Sequence, residues 1–162
     1  MRIVVVSDTH MPHSAKTIPA KLRKALESAD FILHAGDWCT MDVVRAFEAY
    51  APIEGVAGNN DGRDIAERFG LRKRIELGGL RIGIVHGHGY GGTTESRALH
   101  AFRSGEVDVI LFGHSHVPLV RREGDVLLFN PGSPTARRTQ PRYSFGIWDI
   151  EGGRLRTKHV YF

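Results

Sequence analysis

Short apolar runs that each stop at a chemically active residue constrain this chain more than any other feature. Ile3–Val6 runs into Ser7-Asp8-Thr9-His10, and Phe31–Leu33 into His34-Ala35-Gly36-Asp37. Ile53–Ala57 ends in Gly58-Asn59-Asn60-Asp61, Leu80–Val85 in His86-Gly87-His88-Gly89, and Val107–Phe112 in Gly113-His114-Ser115-His116. Runs of this length, rich in β-branched residues, read as strands. A glycine beside the polar residue lets the backbone turn sharply at the exit. Open α/β sheets place their sites at such strand ends.

Between these runs lie helical patterns. Ile18–Ser28 puts Leu22, Ala25, Leu26 and Ala29 on one face, and Met41–Tyr50 does the same with Val43, Val44, Phe47 and Tyr50. Thr93–Arg103 reads as a third helix, with Thr94 its expected N-cap. Alternating strands and helices predict parallel pairing in βαβ units. After Phe112 the pattern changes to strands and turns, at Leu119–Arg122, Val126–Phe129, Tyr143–Ile150 and Arg154–Tyr161. Leu77-Gly78-Gly79 and Glu151-Gly152-Gly153 read as hairpin turns. The expected architecture is a mixed α/β sandwich forming one domain over residues 1–162, whose C-terminal strands form or extend a second sheet.

Composition narrows the function classes. With 162 residues, 41% hydrophobic and 25% charged, the chain has the balance of one globular domain. The single Cys39 excludes an intrachain disulfide and any multi-cysteine zinc or iron–sulfur site. No apolar run approaches the roughly 18 residues of a membrane helix. The N-terminal apolar run meets Asp8 too soon for a signal peptide, so a cytoplasmic protein without a membrane partner is expected. Seventeen of the 22 basic residues are arginine, suited to bidentate phosphate contacts, but the net charge of +4 is spread along the chain. No basic block marks a nucleic-acid arm, and no specific nucleic-acid partner is expected.

The polar exits carry the chemistry. If Asp8-x-His10 and His114-x-His116 sit on extended segments, alternate side chains project to one side and reach one point. Carboxylates, imidazoles and an amide oxygen, with no thiolate, suit Mn²⁺, Fe, Zn²⁺, Ni²⁺ or Co²⁺ better than a soft ion. Each exit alone reads as an ordinary turn or helix start; their recurrence at successive strand ends does not. Two other readings fail on detail. His86–Gly92 lacks the spacing and lysine of a phosphate-cradling P-loop. Gly113–Val117 lacks the closing glycine of a serine-hydrolase elbow, and Pro118 leads into a strand rather than a helix.

The ordered set Asp8-x-His10, Gly36-Asp37, Gly58-Asn59, His86-Gly87-His88 and Gly113-His114-Ser115-His116 resembles the calcineurin-like metallophosphoesterase superfamily. The chain length and the Asn130-Pro131-Gly132-Ser133 segment resemble its small phosphodiesterase branch, which also includes retromer-subunit-like scaffold proteins. The resemblance spans essentially the whole chain. It implies a four-layered α/β/β/α sandwich and two divalent transition-metal ions, manganese first among them. By that likeness Asp8, His10 and His116 hold one ion and Asn59, His86 and His114 the other, with Asp37 bridging both. The implied reaction is phosphodiester hydrolysis by metal-activated hydroxide on a small phosphoester substrate. The alternatives are a phosphomonoesterase on the same site and a non-catalytic scaffold of the same fold. Asp37, His88 and Asn60 are the candidate catalytic residues. Many superfamily members carry histidine where this chain has Asn60, and an amide is no general acid at neutral pH. His88 then becomes a candidate proton donor. His13 and His34 are candidates for outer contacts, and Arg137, Arg138 and Arg142 for a phosphate clamp. A homodimer is the default among oligomers.

Overall fold

The computed structural model describes residues 1–162. Its elements in chain order are β1 (Arg2–Val6), α1 (Ala20–Leu26), β2 (Phe31–His34), α2 (Met41–Glu48), β3 (Ile53–Gly55), α3 (Arg63–Phe69), β4 (Arg72–Leu77) and β5 (Leu80–Val85), followed by α4 (Thr94–His100), β6 (Val109–Leu111), β7 (Leu119–Glu123), β8 (Val126–Asn130), β9 (Ser144–Glu151) and β10 (Arg154–Tyr161). They form two five-stranded sheets, ordered β10-β9-β1-β2-β3 and β4-β5-β6-β8-β7. β1 pairs parallel with β2, β2 with β3, and β5 with β6, as strand–helix alternation predicts.

Burial follows the two-residue period of a strand. Val4 and Val6 face α1, α2 and α3, packing with Leu22, Leu26, Val44, Phe47, Ile65 and Phe69. Ile3 and Val5 face the other sheet, joining Leu33, Ile82, Ile84, Val109, Leu111 and Trp148. On the second sheet's far side Ile110 packs with Ala98 and Phe102 of the α4 region. Three stacked cores therefore separate four layers, helices–sheet–sheet–helix, in agreement with the α/β/β/α expectation.

Three sequence expectations need correction. The C-terminal strands do not stay together: β7 and β8 extend the second sheet, whereas β9 returns to pair antiparallel with β1, bringing β10 with it. Trp148 and Ile150 of β9 are buried between the sheets, which gives this strand reason to return. Thr93, not Thr94, caps α4, since its Oγ1 accepts the Ser96 N–H at 3.1 Å while Ser96 Oγ accepts the Thr93 N–H at 2.9 Å. α3 and β4 were not anticipated. α3 buries only Ile65 and Phe69, and β4 is an edge strand alternating exposed and half-buried residues. Both hairpin turns are present. Gly78 and Gly79, with φ of 58° and 82°, join Leu77 to its partner Leu80 as a tight turn requires. No helix is long and apolar enough to cross a membrane.

Candidate metal centre

The exits of β1, β2, β3, β5 and β6 meet above one end of the sandwich. Asp8 is fully buried, with Oδ1 3.3 Å from His116 Nε2, 3.7 Å from His86 Nε2 and 3.8 Å from His10 Nε2. Asp37 Oδ2 stands 3.2 Å from His86 Nε2 and 3.4 Å from His10 Nε2. Two groups have donor atoms all within 4.8 Å of one another: Asp8–His10–His116 and Asp8–Asp37–His86. Asn59 Oδ1 and His114 Nδ1 face each other at 3.1 Å on the more exposed side, where the His86 and His114 rings lie 5.2 Å apart. Five of the seven expected ligands thus share two overlapping donor groups, and Asn59 and His114 pair with each other beside His86.

They converge by a different route from the one expected. Asp8, His10, His114 and His116 are not extended; their φ values are 56°, 44°, 68° and 61°, and that of Asp37 is 59°. Left-handed backbone at a non-glycine residue costs of order 1–3 kcal/mol and collects at functional sites. Here it turns each loop so that both side chains of an x-separated pair point inward. Glycines make room where loops touch. A Cβ on Gly58 would overlap the Asp37 carboxylate, and one on Gly113 would overlap Ser7 Oγ and the Asp8 carboxylate.

The imidazoles are oriented from behind. His86 Nδ1 lies 2.7 Å from Ala35 O, and His116 Nδ1 contacts Ala136 O. A neutral ring that donates Nδ1–H to a carbonyl has its free nitrogen at Nε2, the atom aimed at the shared focus. His86 Nε2, His116 Nε2, His10 Nε2 and Asp8 Oδ1 are all buried without a hydrogen-bond partner. Orphaned buried atoms are costly, and here they share one focus. The donor set therefore fits divalent cations. Burial opposes ionisation of Asp8 and Asp37 but is outweighed: His10, His116 and His86 make the Asp8 pKa fall, and His86 with the two Asn60 hydrogen bonds brings that of Asp37 to about 2. Burial disfavours the charged form of His86, yet Asp37 and Asp8 raise its pKa.

Asn60 holds Asp37 in place. Its backbone N–H reaches Asp37 Oδ1 and its Nδ2–H reaches Oδ2, each at 2.8 Å. Both contacts position the Asp37 carboxylate. His88 lies on the His114 side, with ring centroids 5.5 Å from His86 and 6.3 Å from His114, and its Nδ1 is buried and unpartnered. Burial, then His86, lowers its pKa. His34 lies inside the fold: Nδ1 accepts the Gly36 N–H at 3.1 Å, Nε2 meets Thr9 Oγ1 at 3.1 Å, and the ring stacks on Trp38 at 3.7 Å. His13 is exposed. Arg137 lies over the Tyr143 ring of its own loop, and Arg142 over the Tyr161 ring of β10.

Sequence reasoning gave no role to the residues that tie the loops together. Asp61 accepts backbone N–H groups from Asp37, Cys39 and Gly58, at 2.8, 2.8 and 2.7 Å. Asn130 Nδ2 donates to Gly113 O and Ser115 Oγ, at 3.0 and 3.1 Å. Ser133 Oγ donates to Asp8 O at 2.7 Å. The Asn130-Pro131-Gly132-Ser133 segment carries part of the family resemblance, but these loop partners of Asn130 and Ser133 lie 15 to 125 residues away in sequence.

This architecture and donor set define a metallophosphoesterase-like protein. Residues 1–153 match the model of the calcineurin-like phosphoesterase superfamily domain, and the chain belongs to that superfamily. It is 39% identical over 162 residues to a probable metallophosphoesterase of Methanothermobacter thermautotrophicus, covering 96% of this chain and 89% of that protein. It is 32% identical over 151 residues to a phosphodiesterase of Methanocaldococcus jannaschii, covering 82% of this chain and 83% of that protein. In fold it is similar to Vps29 of Chaetomium thermophilum, with a TM-score of 0.82 at 22% identity over 100% of this chain and 98% of that one.

Proposed function

We propose that this phosphoesterase is a binuclear metal-dependent phosphodiesterase. The observation that carries the reading is the shared focus of Asp8 Oδ1 and the Nε2 atoms of His10, His86 and His116, all buried and unpartnered, with Asp37 Oδ2 beside them. Asp8, His10 and His116 would hold one cation and Asn59, His86 and His114 the other, with Asp37 between. Divalent cations bound there supply an activated water at neutral pH and neutralise charge on the phosphoryl oxygens. Retention of a competent donor at every position favours an enzyme over a scaffold.

The chain's own residues supply orientation. Asn60 fixes both Asp37 oxygens, and the Ala35 and Ala136 carbonyls fix His86 and His116. His88, whose pKa is lowered by burial and by His86, is assigned to the leaving oxygen as a hydrogen-bond donor. Asn60 supplies neither a cation nor an acid, which favours a singly charged diester with a good leaving group over a dianionic monoester. General-acid catalysis contributes roughly 10²–10⁴-fold where it operates, enough to set such a preference. The test compares kcat/KM for bis- and mono-p-nitrophenyl phosphate after loading with Mn²⁺, Zn²⁺, Ni²⁺ or Co²⁺. Faster cleavage of the diester, abolished by chelator and restored by metal, is expected. Preference for the monoester overturns the diester assignment, and activity unaffected by chelator overturns the metal assignment.

A further inference from the structure

Tyr90 is the most exposed large side chain of hydrophobic character, at 103% relative exposure, yet the loop that carries it is firmly held. Arg97 of α4 reaches back to this loop. Its Nε donates to Gly87 O at 2.9 Å and its Nη1 to Gly91 O at 2.7 Å and Gly92 O at 3.3 Å, while Nη2 donates to Thr94 Oγ1 at 3.3 Å. One guanidinium thus grips the chain on both sides of Tyr90. The reciprocal Thr93–Ser96 cap closes the loop's far end. Gly87, Gly89, Gly91 and Gly92 have φ of 96°, 146°, 71° and 64°, so the path is one that other residues rarely follow. A loop wound this way around an arginine displays its tip at a fixed place.

That place lies close along the chain to the metal centre. Tyr90 is two residues from His88, whose ring stands beside His86 and His114. Consecutive Cα atoms lie about 3.8 Å apart, so the Tyr90 Cα is at most about 7.6 Å from that of His88. The ring gains nothing from burial within the chain. A rigidly presented aromatic face stacks well on another planar ring, and such stacking tolerates any base because each has a π-face.

We infer that Tyr90 is a substrate-binding residue that stacks on a planar aromatic substituent of the phosphoester, an aryl group or a nucleobase. The inference rests on the phosphoesterase reading of the neighbouring site. Its test uses binding to the metal-loaded protein, so it does not depend on turnover. Dissociation constants are measured by calorimetry for methylphosphonate, phenylphosphonate and the 5′-methylenephosphonate analogue of thymidine 5′-phosphate, whose C–P bonds resist hydrolysis. The wild type should favour a ring-bearing ligand over methylphosphonate. Tyr90→Ser should lower that preference about tenfold, and Tyr90→Phe should keep it within about twofold, because the ring face does the binding. Loss for the thymidine analogue alone would assign the site to nucleobases; loss for both ring-bearing ligands would assign it to aromatic rings in general. A preference unchanged in Tyr90→Ser overturns the inference and leaves the phosphoesterase reading standing. Failure of all three ligands to bind the metal-loaded wild type also overturns the inference, while the phosphoesterase reading then stands or falls on chelator-sensitive cleavage of bis-p-nitrophenyl phosphate.

Discussion

Asp37 is gripped through its backbone N–H by Asp61 and through both carboxylate oxygens by Asn60, while His10 and His86 face Oδ2. A side chain so placed serves the whole centre rather than one ligand position. Asp37→Ala, shown by circular dichroism to be folded, should retain less than about a tenth of wild-type phosphodiesterase activity in excess metal, a loss above about 1.4 kcal/mol in barrier terms. Retention above that level contradicts the bridging role. His34 makes a different statement, about stability. Burial holds its imidazole at a pKa of about 3, well under the ordinary 6.5. The unfolded chain takes up a proton below pH 6.5 that the fold refuses, so this group's contribution is whole above pH 6.5 and lost as pH falls toward 3. Between pH 7 and 5 the loss is about 2 kcal/mol. In urea unfolding of metal-free protein, wild type should therefore lose about 2 kcal/mol more over that interval than His34→Asn. His86, whose pKa is raised, works in the opposite sense but is common to both proteins. Equal losses would show that the two nitrogen contacts of His34 do not exclude its proton.

At the scale of elements, the loops after β1, β6 and β8 form one unit. Asn130 closes β8 and reaches the loop after β6, and Ser133 reaches the loop after β1. Asn130→Ala frees Gly113 O and Ser115 Oγ while leaving β8 paired, and Asn130→Asp removes the same donor without removing the acceptor. Both variants should bind metal about 10–100-fold more weakly than wild type in a calorimetric titration, the usual scale for groups behind the ligands. Affinity within twofold of wild type would make the Asn130 contacts merely local. Much of this was legible beforehand. β1, β2, β5 and β6 are short β-branched runs, and the ligands follow them directly because a strand's end leaves side chains free to face a common point. α3 is hidden because only Ile65, Ala66 and Phe69 carry its apolar face among Arg63, Asp64, Glu67 and Arg68. β4 was hidden because an edge strand needs few apolar residues, and Arg72, Lys73 and Arg74 begin it. The left-handed turns at Asp8, His10, His114 and His116 leave only a weak mark in residue type, since aspartate and histidine are enriched in that backbone region yet are also common in extended chain.

On the scale of the whole molecule, the two sheets act as a platform that brings five loops to one end, and the β9 return locks β1 between β2 and β9. Metal should therefore be added to a nearly finished site rather than fold it. Proton release on loading is also expected, because ligand imidazoles bind metal unprotonated and the pKa of His86 is raised by Asp37 and Asp8. Apparent metal affinity should fall as pH is lowered from 8 to 6; calorimetry in buffers of different ionisation enthalpy reads the released protons, and none released would contradict the ionisation given to His86. The most direct measurement is an anomalous difference map from crystals of the wild-type protein loaded with Mn²⁺. Two peaks about 3.5–4 Å apart are expected, both touching the Asp37 carboxylate, one beside Asp8, His10 and His116 and the other beside Asn59, His86 and His114. A single peak, or two that do not share Asp37, would contradict a binuclear centre.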